Sequence, residues 1–490
     1  MQFIIGCIMI YSLYKVINVL SVLFILILIS ACTMFFAPDR EYIPNVNNDK
    51  CKARDNTCNY NGNKIAVFFD GTNNSPDSDT NIKQLHSIIS LQDRTDIQTI
   101  YIEGVGSKGT GLITGWGIGR DVRNAYKFII RNYESPNKTQ LYFFGFSRGA
   151  YSARILSDLI YYQGIPKLNT IAGCEVSQAI QKSIIDTMLN PKSDISKVCD
   201  KSLNRFVNNA FNTFKGQGKT KEERSAIQWN HVNRFNDVSI RFMGVWDTVE
   251  TLGIKGISKS FVKDKGDVIP NDRYGHQLCN VEHAAHAVSI DDNRSTVFAL
   301  VPMVARESHR LYEQDGCKRT VGSNINEVYF SGAHADVGGG YSNTYLNGIS
   351  MNWMLSHIRK IGDNIIPDHA RVPEDKYGIS NDPTTGFVGA FYPEKNRDIF
   401  YYLNDGTIPL TLHQSVTDRL ELCGYGAHEF DWRNSPYGQC FTNYKEQKRS
   451  TLDQRCFGSY DLNNISKQNE IFITTSFDQE LCGGLISKLD

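Results

Sequence analysis

Residues 141–149 read Leu-Tyr-Phe-Phe-Gly-Phe-Ser-Arg-Gly, an apolar run that ends in a G-x-S-x-G turn and puts a serine where acyl transfer needs a nucleophile. The candidate is Ser147. A strand ending at Phe144 has to turn sharply into a helix that starts near Arg148, which leaves Ser147 at positive φ with its hydroxyl at the sheet edge. Gly145 and Gly149 suit that turn, since a Cβ at either flank would meet the neighbouring strand or helix. Ala150 and Ala153 let the helix expected over 150–162 lie close beneath the serine.

A serine hydroxyl is a poor nucleophile at neutral pH, so it requires a histidine to take its proton and an acid to orient that histidine. The strand-like run Ser239–Trp246 ends in Asp247, and a second run, Glu327–Phe330, leads into Ser331-Gly-Ala-His334-Ala-Asp336 and a triple glycine. The order Ser147, Asp247, His334 is the order used by α/β-hydrolases, and each residue follows a strand, where ligand sites of parallel sheets gather. Asp247 as a helix cap is the plainer alternative, and Asp336 is then the runner-up acid. An oxyanion also has to be held, usually by two backbone N–H groups. One is that of Arg148, after the nucleophile; the other is expected from Gly71 or Thr72, in the loop after the strand Lys64–Phe69. Asp70 reads as a brace for that loop through an Asx-type bond.

The blocks FFDGTNN, GWGIGRDVRNAYKFI, FFGFSRGAYSAR, GVWDTV, HADVGGGY and HQSVTDRL occur in that order. Together they resemble a bacterial and fungal α/β-hydrolase family, long defined only as a domain of unknown function, that includes the first class of type VI secretion lipase effectors. The resemblance spans roughly residues 64–420. It implies phospholipase A activity on bacterial glycerophospholipids, with GFSRG carrying the nucleophile, GVWDTV the acid and HADVGGG the histidine, matching Ser147, Asp247 and His334.

Other candidates are weaker. His283 and His286 lie three apart in VEHAAHAVSIDD, on an expected helix face, but no cysteine or carboxylate cluster with zinc spacing joins them, so no metal is assigned. Gly115-Trp-Gly117-Ile-Gly119 lacks a preceding strand and the dinucleotide-binding spacing, and reads as a loop near the cleft; no cofactor is expected. Lys plus Arg and Asp plus Glu are both 52, and a net charge of zero without a basic run gives no reason to expect nucleic acid.

Between Lys15 and Asp39 the chain carries no charged residue, a length that spans a bilayer or serves a secretory signal. Ile29-Ser30-Ala31-Cys32 has the form of a bacterial lipobox, so Cys32 is the expected lipidation site, and a lipoprotein facing the periplasm or exterior is favoured over a single-pass membrane protein. Of twelve cysteines, those beyond Cys7 and Cys32 are even in number, as in an exported chain. The simplest pairs are Cys51 with Cys58, Cys174 with Cys199 and Cys279 with Cys317.

The organisation expected over the 490 residues is a signal or anchor segment (1–32), a polar tether (33–63), and an α/β-hydrolase domain (64–420) with a mostly parallel sheet flanked by helices. A helical insertion over about 163–237, with a helix at 176–189, is either a lid or an appendage, and 421–490 is a disulfide-rich extension. The function this supports is a cell-envelope serine esterase or lipase. A phospholipase A-type enzyme is favoured by the resemblance; a housekeeping acyl esterase, or an inactive hydrolase fold used as an envelope binding module, are the alternatives. Expected partners are a lipid or acyl-ester substrate, the membrane through the N-terminal anchor, and an inhibitor or immunity protein, since a phospholipase held in its producer's envelope threatens that membrane.

Overall fold

The computed structural model describes residues 62–71, 79–104, 117–174, 194–214, 232–251, 262–264, 267–269, 278–294, 298–304, 324–341, 346–376, 380–381, 383, 397, 410–416 and 471–474. The apolar N-terminal segment with Cys32, the polar tether up to residue 61, Thr72, the expected helix 176–189 and the cysteines after 420 lie outside these residues. Among the described residues no helix is long and apolar enough to cross a membrane.

The core is an eight-stranded sheet of β1 (Asn63–Phe69), β2 (Ile97–Ile102), β3 (Thr139–Phe146), β4 (Ile240–Trp246), β5 (Val281–Ser289), β6 (Ile325–Phe330), β7 (Leu410–His413) and β8 (Ile471–Thr474). Every pairing in it is parallel. Parallel strands are covered by helices on both faces, so they read as continuous apolar runs. β1 (NKIAVFF) and β3 (TQLYFFGF) are buried along nearly their whole length. One face, with Ala66, Phe68, Tyr142, Phe144, Phe242 and Trp246, packs against α1 (Asn81–Ser90) and α6 (Leu346–Lys360). The alternate side chains of β1 and β3 point the other way, toward α2 (Ile118–Asn132) and α3 (Arg148–Gln163). In α2 the buried Val122, Ala125, Tyr126 and Ile129 fall at helical spacing, so one stripe meets the sheet.

The strand order, β8-β7-β6-β5-β4-β3-β1-β2, defines where a site can form. The chain runs from β1 outward to β2, then crosses back to β3 on the far side of β1. The loops after β1 and β3 therefore leave the sheet in opposite directions and open a crevice between them. This is the α/β-hydrolase architecture, and the serine turn lies at its crevice.

The longest described element of the insertion is α4 (Asp194–Phe214), tied by a Cys174–Cys199 disulfide as the cysteine spacing predicts. Leu203, Val207, Ala210, Phe211 and Phe214 form its buried stripe. Phe211 packs at Gly119 and Arg123 of α2, Phe214 lies 6.0 Å from the Tyr162 ring of α3, and Lys127 donates to Asn204 at 2.9 Å. These contacts are with the helical layer. Cys279 is also disulfide-bonded.

Two elements differ from the sequence reading. His283 and His286 lie on β5, not on a helix. The Ala-rich VEHAAHAVS is a central parallel strand whose small side chains fit between two helical layers. On a strand, residues three apart point to opposite faces, which removes them as a metal pair. The region after 420 also does not form a wholly separate extension, because β8 pairs with β7 through Leu410 and Ile471 and completes the sheet.

Candidate active site

Ser147 stands between β3 and α3 with φ 59° and ψ −126°, a conformation L side chains rarely adopt. The flanking glycines make the turn possible. A Cβ on Gly145 would lie 2.5 Å from the Ala150 Cα, and one on Gly149 only 2.2 Å from the Phe69 carbonyl oxygen. Both are backbone clashes, so α3 can approach β1 and β3 this closely only without those side chains. The strand itself runs on to Phe146, two residues beyond the expected end.

Ser147 Oγ lies 2.7 Å from Nε2 of His334. Nδ1 of that ring bonds to Oδ2 of Asp247, and a carboxylate accepts only, so Nδ1 carries the proton and Nε2 is free to accept from the serine. All three residues are buried. His334 begins the short helix α5 (His334–Gly338), directly after β6. Its ring is held between Phe146 and Phe298, with ring centroids 4.6 and 5.5 Å away. Phe146 has room because a Cβ on Gly338 would fall 2.0 Å from its ring. Thus one glycine of the triple run seats the aromatic neighbour of the histidine. Gly339, at φ 82°, bridges in antiparallel fashion to Thr80 and joins this loop to the start of α1.

Asp247 is fully buried, and its two oxygens accept from four groups. Oδ2 accepts from His334 and from Nη2 of Arg397 at 2.8 Å; Oδ1 accepts from the Ser289 N–H at 2.9 Å and from Nη1 of Arg397 at 2.7 Å. Burial by itself would raise this carboxyl, but the Arg397 guanidinium and His334 outweigh it and hold Asp247 well below the usual carboxylate range. Asp336, the runner-up acid, is engaged elsewhere. It accepts from the Ala333 N–H at the head of α5 and from Asn381, whose Nδ2 lies 2.6 Å away.

Arg397 and His286 were not apparent as site residues from sequence. No local pattern marks Arg397, which reaches Asp247 from far along the chain. The sequence offers His286 only as half of a metal pair that nothing completes. Its Nε2 accepts from the Thr248 N–H at 3.0 Å, so Nδ1 is protonated and donates to Glu327 at 2.7 Å. Glu327 also accepts from the Met303 N–H at 2.5 Å. His286 therefore latches the turn after Asp247 onto β6. Asp292, after β5, accepts from the His334 N–H at 3.2 Å and pairs with Arg294 at 2.5 Å. Burial raises its carboxyl too, and Arg294 and Arg397 pull it below the ordinary value.

Of the expected oxyanion donors, Arg148 sits at the first position of α3 with its side chain buried. The Gly71 N–H is already committed to Asp70 Oδ1 at 2.6 Å, and Thr72 lies outside the described residues. Asp70 does brace its loop, accepting also from Thr80 Oγ1 at 2.6 Å and from the Tyr101 hydroxyl. Gly117 starts α2 at φ 122°, and the stretch of loop before it lies outside the described residues. Among the described residues no group of three or more His, Cys, Asp or Glu side chains is arranged to hold a metal ion.

The chain is 24% identical over 255 residues to the uncharacterized protein YEL023C of Saccharomyces cerevisiae, covering 48% of this chain and 32% of that protein. The solved structure of the Tle1 effector bound to the VgrG spike from the type VI secretion system aligns at 19% identity and a TM-score of 0.27, over 58% of this chain and 52% of that one. The apo form of Thermogutta terrifontis esterase 2 aligns at 11% identity and a TM-score of 0.29, over 67% of this chain and 97% of the other. The chain thus spans about a third of the yeast relative's length and about half of the effector's. Residues 63–357, more than half of the sequence, match the type VI secretion system phospholipase effector Tle1-like catalytic domain, and the chain belongs to that family.

Proposed function

We propose that this protein is a serine hydrolase that cleaves the carboxylic esters of glycerophospholipids, a phospholipase A-type lipase. The observation that carries the reading is the hydrogen-bonded series from Ser147 Oγ through the His334 ring to Asp247 at the crevice of the sheet. Ser147 Oγ attacks the ester carbonyl carbon while His334 Nε2 takes the hydroxyl proton, and the carbonyl electrons move onto oxygen. The Arg148 N–H and a donor from the loop after β1 hold that oxyanion. Collapse expels the lysophospholipid alkoxide, which receives the proton from His334. Water, deprotonated by the same nitrogen, then releases the fatty acid from Ser147. Asp247 holds the ring in its Nδ1–H tautomer and stabilises the imidazolium in both halves.

Membership of a phospholipase effector family supports a phospholipid substrate and protein partners, among them an inhibitor in the producing cell. The envelope location rests on the uncharged run before Asp39 and on Ile29-Ser30-Ala31-Cys32. Mass spectrometry of the mature N-terminus tests it: a diacylglyceryl Cys32 supports a lipoprotein, and an intact terminus upstream of Val16 contradicts it. For the activity, the detergent-solubilised protein is incubated with mixed phospholipids. Equal amounts of lysophospholipid and fatty acid are expected, and neither with Ser147→Ala. Diacylglycerol or phosphatidic acid as the product would overturn the reading.

A further inference from the structure

Arg397 lies beyond residues 63–357, the part of the chain that matches the family's catalytic domain, yet it is buried against the acid of the site. Its guanidinium makes a two-pronged contact with Asp247, Nη1 to Oδ1 at 2.7 Å and Nη2 to Oδ2 at 2.8 Å, and Nη1 also donates to the Ser289 carbonyl at 2.8 Å. A planar fork on a planar carboxylate fixes both the position and the rotation of the acceptor, which a single bond does not. Oδ2, the oxygen so fixed, is the one that receives Nδ1 of His334.

We propose that Arg397 is a positioning residue of this hydrolytic site: its two-pronged contact orients the Asp247 carboxylate toward His334. The inference rests on the reading of Ser147, His334 and Asp247 as the hydrolytic machinery. It assigns a part of that machinery to the chain beyond the matched domain. A protonated Asp247 would carry a hydrogen on one oxygen, accept less well from Nδ1–H and lose the charge that stabilises the imidazolium. Desolvation pushes Asp247 toward that state, and the largest opposing influence is the Arg397 charge.

Other charged and titratable groups face this cluster. His334 bonds Asp247 directly, and Asp292 with Arg294 lies at the His334 backbone. Asp291 accepts from the Gly332 N–H at 2.7 Å in the loop leading to His334. On the β5 side, His286 and Glu327 hold Thr248. Only Arg397 and His334 pair with the Asp247 carboxylate among the described side chains.

The test is kcat and KM for a p-nitrophenyl ester across acidic and neutral pH, with the full chain and its Arg397→Gln, Arg397→Lys and Ser147→Ala variants. Arg397→Gln is expected to lose about 100-fold in kcat through misorientation, with KM little changed. Its acid limb should also move to higher pH by about 1 unit or more, because the guanidinium charge no longer opposes the first proton taken up by the coupled His334–Asp247 pair. Arg397→Lys keeps the charge without the fork, so its limb should stay at the wild-type position while kcat falls. An acid limb unmoved in Arg397→Gln overturns the proposal, even if that variant is slower, because a merely structural role slows catalysis without moving the limb. Full turnover in Arg397→Lys overturns it as well, and if Arg397→Gln fails to fold, the lysine variant decides alone. A Ser147→Ala variant that retains turnover would instead remove the nucleophile assignment on which the proposal stands.

Discussion

Ser147 and Asp247 stand side by side on neighbouring strands, each in a backbone conformation that disfavours a side chain. Phe146 and Trp246 are paired in the register of β3 and β4, and the next residue of each chain segment turns to positive φ, 59° for Ser147 and 38° for Asp247. The Ser147 N–H donates to the Trp246 carbonyl at 3.0 Å, so the two turns are joined at the backbone. Both side chains thereby leave the same strand ends toward His334. Strain of this kind persists only where the surrounding structure over-determines it.

Ser147→Gly is therefore expected to be inactive but more stable than Ser147→Ala, which keeps a Cβ at φ 59°. The difference should be about 1 kcal/mol, the relief of a positive φ less the greater unfolded-chain freedom of glycine. Denaturant melts of both variants measure it. Equal midpoints would show that the turn stores no such strain.

Gly149→Ala puts a Cβ 2.2 Å from the Phe69 carbonyl and 2.5 Å from that of Asp70, so α3 has to move away from β1. A loss of about 3 kcal/mol or more is expected, with loss of activity. Gly362→Ala is the control: its φ is 75°, but nothing lies within 4 Å of the added atom. It should cost only about 1 kcal/mol and leave turnover unchanged.

Asp247→Asn should lower turnover by about 10⁴-fold without unfolding the protein, since an amide can favour the wrong tautomer of His334. Asp336→Asn should cost about 1 kcal/mol of stability at the head of α5 and much less turnover, because Asp336 bonds Ala333 and Asn381 instead of the His334 ring. Steady-state kinetics paired with melts separates the two. A reversed order would transfer the acid's role to Asp336.

Burial lowers His357 to about 4, with Lys360 adding to the effect, and lowers His86 to about 4 with Lys83 beside it. Both are neutral in the fold and bind protons more readily when unfolded. Stability is thus full above the unfolded value near 6.5, and declines as pH falls from there toward about 4. His357→Gln should flatten part of that slope in melts followed against pH. An unchanged slope would show that His357 does not contribute to it.

How far the sequence is legible follows from local pattern. KIAVFF, LYFFGF and RFMGVW announce themselves because doubly covered parallel strands are apolar on both faces. Ser147, Asp247 and His334 follow from strand ends and chain order, and the Cys174–Cys199 bond from proximity in sequence. β5 is not legible as a strand because alanines and histidines three apart imitate a helix face, while its burial between two layers is a tertiary fact. The Gly71 N–H, an expected oxyanion donor, is taken by Asp70, a choice of partner that the sequence does not announce. Arg397 leaves no local signal at all, because its partners Asp247 and Ser289 come from other strands and meet it only in the fold.

The central claim is that Ser147 is the nucleophile activated by His334. The most direct measurement is labelling of the intact protein with a fluorophosphonate, followed by peptide mass spectrometry. The account predicts modification of Ser147, lost in Ser147→Ala and strongly slowed in His334→Ala, with ester hydrolysis falling in parallel. Labelling at another serine, or undiminished hydrolysis by Ser147→Ala, would contradict it.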